Sequence, residues 1–378
     1  MRANPGWERS IDVDAPRIIF AGGGTGGHLF PALAIAEEVR LLRPAAEILF
    51  VGTRGKIESH VVPSAGYQFE TIWISGFRRS LAPGNLLFPL KVAVSLIQSH
   101  SILRRFRPDA VVGTGGYVSG PVVYTAAVRG IPTLIHEQNS MPGATSRFLG
   151  KKVDEIHCSF RETVRYFHRP GRVFVSGNPT RRELEKVGRT AAEEYFGLGG
   201  RSGLTLLVLG GSLGAHSLNQ AVTRILPDLV KEGVRIIWQT GQEDYASAAS
   251  AASAFGPAVS VSSFIERMDY AYAACDLVAC RAGATTIAEL TRLGKPSILV
   301  PYPFAAGDHQ TGNARAMADR SAAELVADRE VDSRLLPVIR SVVSPGRLEA
   351  MGRAARELGN PSAGPEIARH VLHLAGAL

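Results

Sequence analysis

The chain has 378 residues, 45% of them hydrophobic, and carries a formal net charge of +8. This length is too great for one ordinary core and suits two domains. No apolar run reaches the ~18 residues needed to cross a bilayer, and the N-terminal residues contain no apolar signal sequence. The three cysteines lack a C-x-x-C spacing, which favours reduced, buried thiols in a cytoplasmic protein.

The charge is unevenly distributed along the chain. Residues 1–180 hold 21 Lys and Arg against 13 Asp and Glu, which accounts for the whole net charge. This excess indicates an anionic partner for the first half: phosphates, nucleic acid or an acidic lipid surface. Simple solubility is the alternative interpretation.

Strand-like and helical segments alternate twice along the chain. The first series has strands at 17–21, 47–51, 110–113 and 133–136, with a helix at about 31–42. The second series has strands at 204–209, 235–240, 259–262, 277–279 and 297–301, with a helix at about 218–231. This rhythm predicts two α/β units, each with a parallel sheet covered on both faces. Gly177–Arg181 is the natural junction, and an amphipathic helix ends the chain.

Two glycine-rich loops follow strands in the first half. Gly22–His28 reads GGGTGGH and contains the G-x-G-x-x-G fingerprint, and Gly113–Pro121 reads GTGGYVSGP. Such loops bring backbone N–H groups and a helix N-terminus close to an anion. One loop alone is compatible with a structural turn, whereas the pair predicts a joint diphosphate site. A nicotinamide cofactor is disfavoured, because the second strand ends at Phe50–Thr53 without an acidic residue.

His28 closes the first loop and lies at the start of a helix. An imidazole with a near-neutral pKa is suited to general base catalysis beside a phosphate site. The alternative is a histidine that only forms local hydrogen bonds.

Three further segments of the second half are candidates for contacting a phosphate, a ribose or other sugar hydroxyls. Gly210–His216 offers Ser212 and a helix N-terminus to a phosphate, and Arg281–Glu289 begins another helix at Ala284. Glu289 would accept hydrogen bonds from ribose hydroxyls, or else is a surface residue that stabilises its helix. The polar loop Pro301–Asn313 would contact sugar hydroxyls, or else is simply solvated.

No metal site is predicted, and one membrane-facing segment is. The only D-x-D lies at Asp12–Asp14, before the first strand, and no His/Cys cluster has ligand spacing. Phe77–Leu90, followed by Lys91, combines apolar residues with cations and predicts contact with anionic headgroups. A buried helix start with a solvated rim is the alternative.

A set of motifs carries a family resemblance when it is considered as a whole. In order, the segments are GGGTGGHLFPALAIAEE, GTGGYVSGP, IHEQNSMPG, GNPTR, GGSLGAHSLN, CRAGATTIAEL and PYPFAAGDHQTGNA. The chain resembles the bacterial undecaprenyl-diphospho-muramoylpentapeptide N-acetylglucosaminyltransferases, the MurG family. Each motif alone has low specificity, but the ordered set is highly specific.

The resemblance implies the GT-B fold, an α/β architecture of two Rossmann-like parallel-sheet domains facing a cleft. Residues 1–180 would bind the acceptor and the membrane, with helix 364–378 packing back on them, and residues 181–363 would bind the UDP-sugar. The implied reaction moves N-acetylglucosamine from UDP-N-acetylglucosamine to the C4 hydroxyl of lipid I, muramoyl-pentapeptide-diphospho-undecaprenol. The product, lipid II, serves peptidoglycan synthesis. The enzyme would be peripheral at the cytoplasmic face of the cell membrane and require no cofactor.

The resemblance also assigns site residues and partners. Ile265 would meet the uracil through its backbone, Glu289 the ribose, Ser212 the phosphates and Gln310 the sugar hydroxyls. The full donor set is Thr25, Gly26, Gly27, Asn139, Arg181, Ser212, Ile265, Ala284, Thr285, Thr286, Ile287, Ala288, Glu289 and Gln310. The acceptor set is Gly24, Gly113, Gly115, Gly116, Tyr117 and Glu137, with His28 as the catalytic base. Implied partners are an anionic membrane surface and proteins of cell-wall synthesis and division, but no nucleic acid.

Three rival functions remain open at this point. The first is a UDP-N-acetylglucosamine epimerase on the same fold, which would need neither a lipid acceptor nor a basic apolar patch. The others are an NAD-dependent oxidoreductase and a non-enzymatic scaffold that binds UDP-sugar or division proteins.

Overall fold

The computed structural model describes residues 15–76, 87–169, 171–198, 203–211, 214–344 and 346–378. The described residues form two compact units. The first unit comprises those within 1–138, 142–179 and 362–378, and the second those within 139–141 and 180–361.

The first unit contains a parallel sheet of seven strands. The strands are β1 Arg17–Gly22, β2 Glu47–Gly52, β3 Gln68–Thr71, β4 Ala110–Gly115, β5 Thr133–Glu137, β6 Glu155–Cys158 and β7 Val173–Val175. The helices are α1 Gly26–Leu42, α2 Glu58–Ser64, α3 Phe88–Phe106, α4 Gly116–Val128, α5 Ala144–Leu149 and, from the C-terminal region, α14 Ala363–Leu374.

The order of these strands determines where a ligand can bind. The sheet runs β3-β2-β1-β4-β5-β6-β7, so the direction of winding reverses between β1 and β4. In open α/β sheets, ligands bind beyond the carboxyl ends of the strands at this reversal. The two glycine loops predicted in the first half follow β1 and β4.

Helices cover both faces of the first sheet. Side chains of β1 alternate between the faces, as the strand period of two requires: Ile18 and Phe20 pack in one core cluster, and Ile19 and Ala21 in the other. The cluster that contains Ile18 also holds the buried face of α14, which consists of Ile367, Ala368, Val371 and Leu372. The C-terminal helix therefore completes the core of the first unit.

The second unit contains a parallel sheet of six strands. The strands are β8 Thr205–Leu209, β9 Arg235–Gln239, β10 Val259–Ser262, β11 Leu277–Cys280, β12 Ser297–Leu299 and β13 Glu324–Leu325. The helices are α6 Arg189–Tyr195, α7 His216–Lys231, α8 Tyr245–Ala252, α9 Met268–Ala274, α10 Ala284–Leu293, α11 His309–Ala318, α12 Val331–Val342 and α13 Arg347–Leu358. The order β10-β9-β8-β11-β12-β13 places the reversal between β8 and β11.

The structure corrects one predicted helix start. Helix α1 begins at Gly26, not near Pro31, so Pro31 lies inside the helix. The proline ring tolerates helical φ and removes only one hydrogen-bond donor, so the helix starts within the glycine loop despite it. No helix among the described residues is long and apolar enough to cross a membrane.

Candidate active site

The two glycine loops of the first unit touch each other. Gly22 of β1 pairs with Gly115 of β4, so the loops leave the sheet from adjacent strands. A Cβ atom built on Gly22 would lie 2.1 Å from Thr114 Oγ1, and one on Gly116 would lie 2.5 Å from the Gly23 carbonyl oxygen. Only glycine permits this approach, which leaves the N-termini of α1 and α4 side by side at the reversal point.

A buried carboxylate that the sequence analysis missed supports the first loop. Glu58, at the start of α2, is 0% exposed. Its Oε2 accepts a hydrogen bond from the Gly24 N–H at 2.9 Å, and its Oε1 accepts from the N–H and the hydroxyl of Thr53 at 3.0 and 2.7 Å. The Gly24 N–H is therefore already hydrogen-bonded within the protein. The N–H groups of Gly26 and Gly27, in the first turn of α1, are the ones that an anion would meet.

His28 is half-buried and makes long-range contacts. Its Nδ1 lies 3.1 Å from the Thr114 carbonyl oxygen and 3.2 Å from Gln138 Oε1. Both neighbours are acceptors, so Nδ1 carries a proton, and in the neutral form of the ring the lone pair is on Nε2. The imidazole thus has the tautomer that a general base needs. These contacts reach residues 86 and 110 positions away, and the general-base role of His28 stays a prediction.

Two residues behind His28 fix this arrangement. Gln138 is buried and uses its amide nitrogen to donate to the Thr114 carbonyl at 2.7 Å and to His136 Nδ1 at 3.0 Å. His136 in turn donates from Nε2 to the Gly177 carbonyl at 3.0 Å. Burial lowers the pKa of His136 to about 4. It therefore stays neutral and keeps the Gln138 oxygen directed at His28.

The other acceptor candidates surround the same reversal point. Gly113 lies in β4, and Gly115 has φ 106° and stands against the His28 ring. Tyr117, in the first turn of α4, is 53% exposed. Glu137 ends β5, is buried, and accepts a hydrogen bond from the Gly143 N–H at 3.2 Å.

In the second unit, Glu289 lies in the second turn of α10. It is 7% exposed, so the alternative of a surface residue is wrong. Its Oε2 accepts from the Tyr272 hydroxyl at 2.9 Å, and its Oε1 lies 3.5 Å from Arg181 Nη2. Burial outweighs these two partners and raises the pKa of Glu289. Two donor-site residues predicted more than a hundred positions apart therefore meet.

The other predicted donor-site residues near Glu289 form the N-terminus of α10. Ala284, Thr285, Thr286, Ile287 and Ala288 form its first turns after Gly283, and no acidic residue lies in the first turn. Thr285 Oγ1 is buried and has no hydrogen-bond partner among the described residues. A phosphate here would find a helix N-terminus and an unused hydroxyl.

Ile265 and Gln310 are held by neighbouring groups. The Ile265 N–H donates to Gln239 Oε1 at 2.8 Å, which leaves its carbonyl oxygen as the group it can offer. Gln310 accepts from the Tyr302 N–H through Oε1 at 2.9 Å, which leaves its amide nitrogen as a donor. Gln239 is not among the predicted site residues, whereas Tyr302 lies within the predicted polar loop Pro301–Asn313.

Asn313 forms hydrogen bonds that hold another predicted donor-site residue, Asn139, in place. Its Oδ1 accepts from the Ser140 N–H at 3.0 Å, and its Nδ2 donates to the Ala282 carbonyl at 3.2 Å and to Asn139 Oδ1 at 3.4 Å. Asn313 is fully buried, and these contacts lie within the second unit. A predicted donor residue, Asn139, is thereby placed beside the loop that precedes α10.

Some predicted residues lie outside the described part of the chain. These are Ser212, Asp12–Asp14 and positions 77–86 of the predicted membrane segment. The described end of that segment is exposed, with Leu87 at 48% and Leu90 at 52%, so a buried helix start is wrong there. The three cysteines are free and buried, which confirms the part of the prediction that concerns the thiols themselves.

Comparison with known proteins places both units in one family. The models described as "Glycosyltransferase family 28 N-terminal domain" and "Glycosyltransferase family 28 C-terminal domain" match residues 18–158 and 205–366. A relative from Anaeromyxobacter dehalogenans is 46% identical over 357 residues, covering 93% of this chain and 91% of the relative. It is named UDP-N-acetylglucosamine--N-acetylmuramyl-(pentapeptide) pyrophosphoryl-undecaprenol N-acetylglucosamine transferase.

Solved structures agree on the fold. The crystal structure of Acinetobacter baumannii MurG matches with a TM-score of 0.70 and 27% identity, covering 94% of this chain and 99% of that one. The UDP-GlcNAc 2-epimerase of Neisseria meningitidis has a TM-score of 0.67 at 13% identity, covering 95% and 100%, and is similar in fold alone. The prediction of a GT-B fold is confirmed.

Proposed function

The chain belongs to the MurG family within glycosyltransferase family 28, and we propose that it makes lipid II. The reaction transfers N-acetylglucosamine from UDP-N-acetylglucosamine to the muramyl-pentapeptide pyrophosphoryl-undecaprenol acceptor. The observation that carries this proposal is the 46% identity to the named transferase over 93% of the chain. The geometry of the two reversal points supports the residue roles that follow.

The first unit would bind the acceptor and remove its proton. The acceptor diphosphate would lie at the paired glycine loops, near the N–H groups of Gly116 and Tyr117. His28 Nε2 would take the proton from the C4 hydroxyl as that oxygen bonds to the anomeric carbon. The bond from the anomeric carbon to the UDP oxygen breaks at the same time, and its electron pair leaves with UDP. Attack from the opposite face inverts the α donor to a β linkage.

The second unit would hold the nucleotide. Glu289, held by Tyr272, would accept hydrogen bonds from the ribose hydroxyls, and the Ile265 carbonyl would contact the uracil. The N-terminus of α10, with the Thr285 hydroxyl, would stabilise the negative charge on the leaving diphosphate. Gln310 would donate from its amide nitrogen to a sugar hydroxyl. These groups supply the leaving-group stabilisation without a cofactor.

One face of α3 would bind the membrane surface. Leu87, which directly precedes α3, and Leu90 and Ile97 within it recur at helical spacing and are 48%, 52% and 70% exposed. Trp73, 46% exposed, lies beside them, with Lys91 Nζ 5.7 Å from the centre of its ring. Exposed apolar side chains with an adjacent cation suit the headgroup region of an anionic bilayer. We therefore place the enzyme peripherally at the cytoplasmic face of the membrane, where proteins of cell-wall synthesis and division are its expected partners.

The reaction is tested by measuring UDP release from UDP-N-acetylglucosamine with and without a short-chain, soluble lipid I analogue. We expect release to require the analogue and to match the amount of disaccharide product. Conversion of the donor to its 2-epimer without the analogue would instead support an epimerase. Donor binding with neither outcome would support a scaffold.

Two variants test the proposed roles. His28→Ala should reduce acceptor-dependent turnover about a hundredfold or more, the usual contribution of a general base, while UDP binding is retained; near-full turnover would remove the base assignment. Ile97→Ser should weaken sedimentation with anionic vesicles. Val128→Ser, at an equally exposed position on α4 (64%), is the matched control for the vesicle assay.

A further inference from the structure

A cluster of metal-ligand side chains lies in the first unit, on strand β6 and helix α14. Glu155 and His157 stand two positions apart on β6, so their side chains leave the same face of the sheet. His370 approaches from α14. Glu155 Oε2 lies 3.2 Å from His157 Nε2 and 2.8 Å from His370 Nδ1, and all three ligand atoms lie within 4.8 Å of one another.

The surroundings of the cluster orient its buried member. The side chain of His157 is 0% exposed. Its other ring nitrogen, Nδ1, is hydrogen-bonded to Ser176 Oγ at 2.6 Å, and its ring stacks on Phe174 at 5.0 Å between centroids. A hydrogen bond on the second nitrogen is how proteins commonly orient a metal-binding imidazole.

The cluster is open on one side. His370 and Glu155 keep 28% and 15% of their side chains exposed, which gives an ion and a coordinating water access to the site. Glu366 lies one turn before His370 on α14, and its charge acts on His157. The spacing i, i+4 places the side chains of Glu366 and His370 on one helical face, so a negative charge lies on the side of α14 that carries His370.

We propose that Glu155, His157 and His370 bind a Zn²⁺ ion that joins the C-terminal helix α14 to strand β6. Two imidazoles and one carboxylate are a common zinc donor set. Bonds of about 2.0–2.1 Å in tetrahedral geometry hold ligand atoms roughly 3.3 Å apart, and the two distances to Glu155 already approach this value. The ion replaces the protons that bridge these side chains, and the chemistry of sugar transfer takes place elsewhere.

Metal binding to the full-length protein tests the proposal. The protein is stripped with a chelator, desalted and titrated with Zn²⁺ in competition with a chromogenic chelator. We expect one tight site per chain, a rise in melting temperature when Zn²⁺ is added, and the visible spectrum of tetrahedral Co²⁺ when Co²⁺ replaces it. The metal alone is the probe, so these readouts are independent of transferase activity.

Variants on one helix distinguish this site from adventitious binding. His370→Gln removes a part-exposed ligand, so the protein should still fold, and it should lose about tenfold or more in affinity. His373→Gln, an exposed histidine three residues further along α14, should bind like wild type. The absence of a tight site, or equal affinity in wild type and His370→Gln, would overturn the proposal.

Discussion

Replacing Glu58 by glutamine tests how the first glycine loop is held. The carboxylate accepts three hydrogen bonds, one from the Gly24 N–H and two from Thr53, in a place without solvent access. An amide of the same size keeps one oxygen but presents an NH₂ group in place of the other. At least one backbone N–H then faces a donor.

The expected cost follows from this count of hydrogen bonds. A buried N–H without an acceptor costs about 1–3 kcal/mol, and the bonds that remain lose the assistance of the charge. Together we expect the free energy of unfolding to fall by about 2–4 kcal/mol. For a unit of this size, that corresponds to a melting temperature roughly 5–15 °C lower. The loosened loop should also raise the KM for the acceptor analogue.

Urea denaturation and acceptor-dependent UDP release measure both effects. Glu47→Gln is the matched control, because Glu47 lies on β2 of the same sheet and is 50% exposed in its ion pair with Arg17. Such a pair contributes about 1 kcal/mol or less. If Glu58→Gln is no less stable than Glu47→Gln, the loop does not depend on this carboxylate.

Three further predictions concern the residues around the two sites. Gly115→Ala should lower turnover about tenfold or more, because φ is 106° and the new Cβ would lie 2.4 Å from the imidazole of the proposed base; Gly130→Ala, with φ 73° but open space around it, should lower only the melting temperature. Tyr272→Phe should weaken UDP binding roughly tenfold by calorimetry, since its hydroxyl positions Glu289 at 2.9 Å, and unchanged affinity would contradict that role. Burial holds the pKa of His136 at about 4 against an ordinary 6.5, so below pH 6.5 the unfolded chain binds a proton that the folded chain does not. Its contribution to the free energy of unfolding should therefore fall by about 3 kcal/mol from pH 7 to pH 4. In urea titrations, the free energy of unfolding of His136→Gln should fall less over this pH range than that of the wild-type protein.

Much of the fold could be predicted because its signals are local. Apolar runs such as 205–209, each followed by glycines and an amphipathic helix, indicate a strand and the helix after it without reference to the rest of the chain. Strands β3, β6, β7 and β13 escaped prediction because they have only two to four residues, and all but β7 contain a charged residue. Pro31 gave the wrong helix start because a proline that usually opens a helix here lies inside one.

Of the site, only the glycine loops and the residues within the family motifs could be predicted from the sequence. The glycine motifs mark the reversal points, and the family pattern proposes Glu289 and His28. No sequence motif indicates the roles of the supporting residues. Glu58 accepts a hydrogen bond from a loop 34 positions away, and Gln138 accepts one from a histidine 110 positions away. No sequence motif marks the proposed cluster on β6 either, since His370 lies 215 residues from Glu155.

Helix α14 has a consequence for the order in which the chain folds during synthesis. The first unit buries Ile367, Val371 and Leu372 beside β1, although more than three hundred residues separate these positions. The ribosome therefore releases all of the second unit before the first can finish its core. Until then, the apolar side chains that α14 will cover stay accessible to chaperones or to aggregation. A fragment that ends at the junction near residue 180 should accordingly be poorly soluble, and coexpression of a peptide covering 362–378 should rescue it.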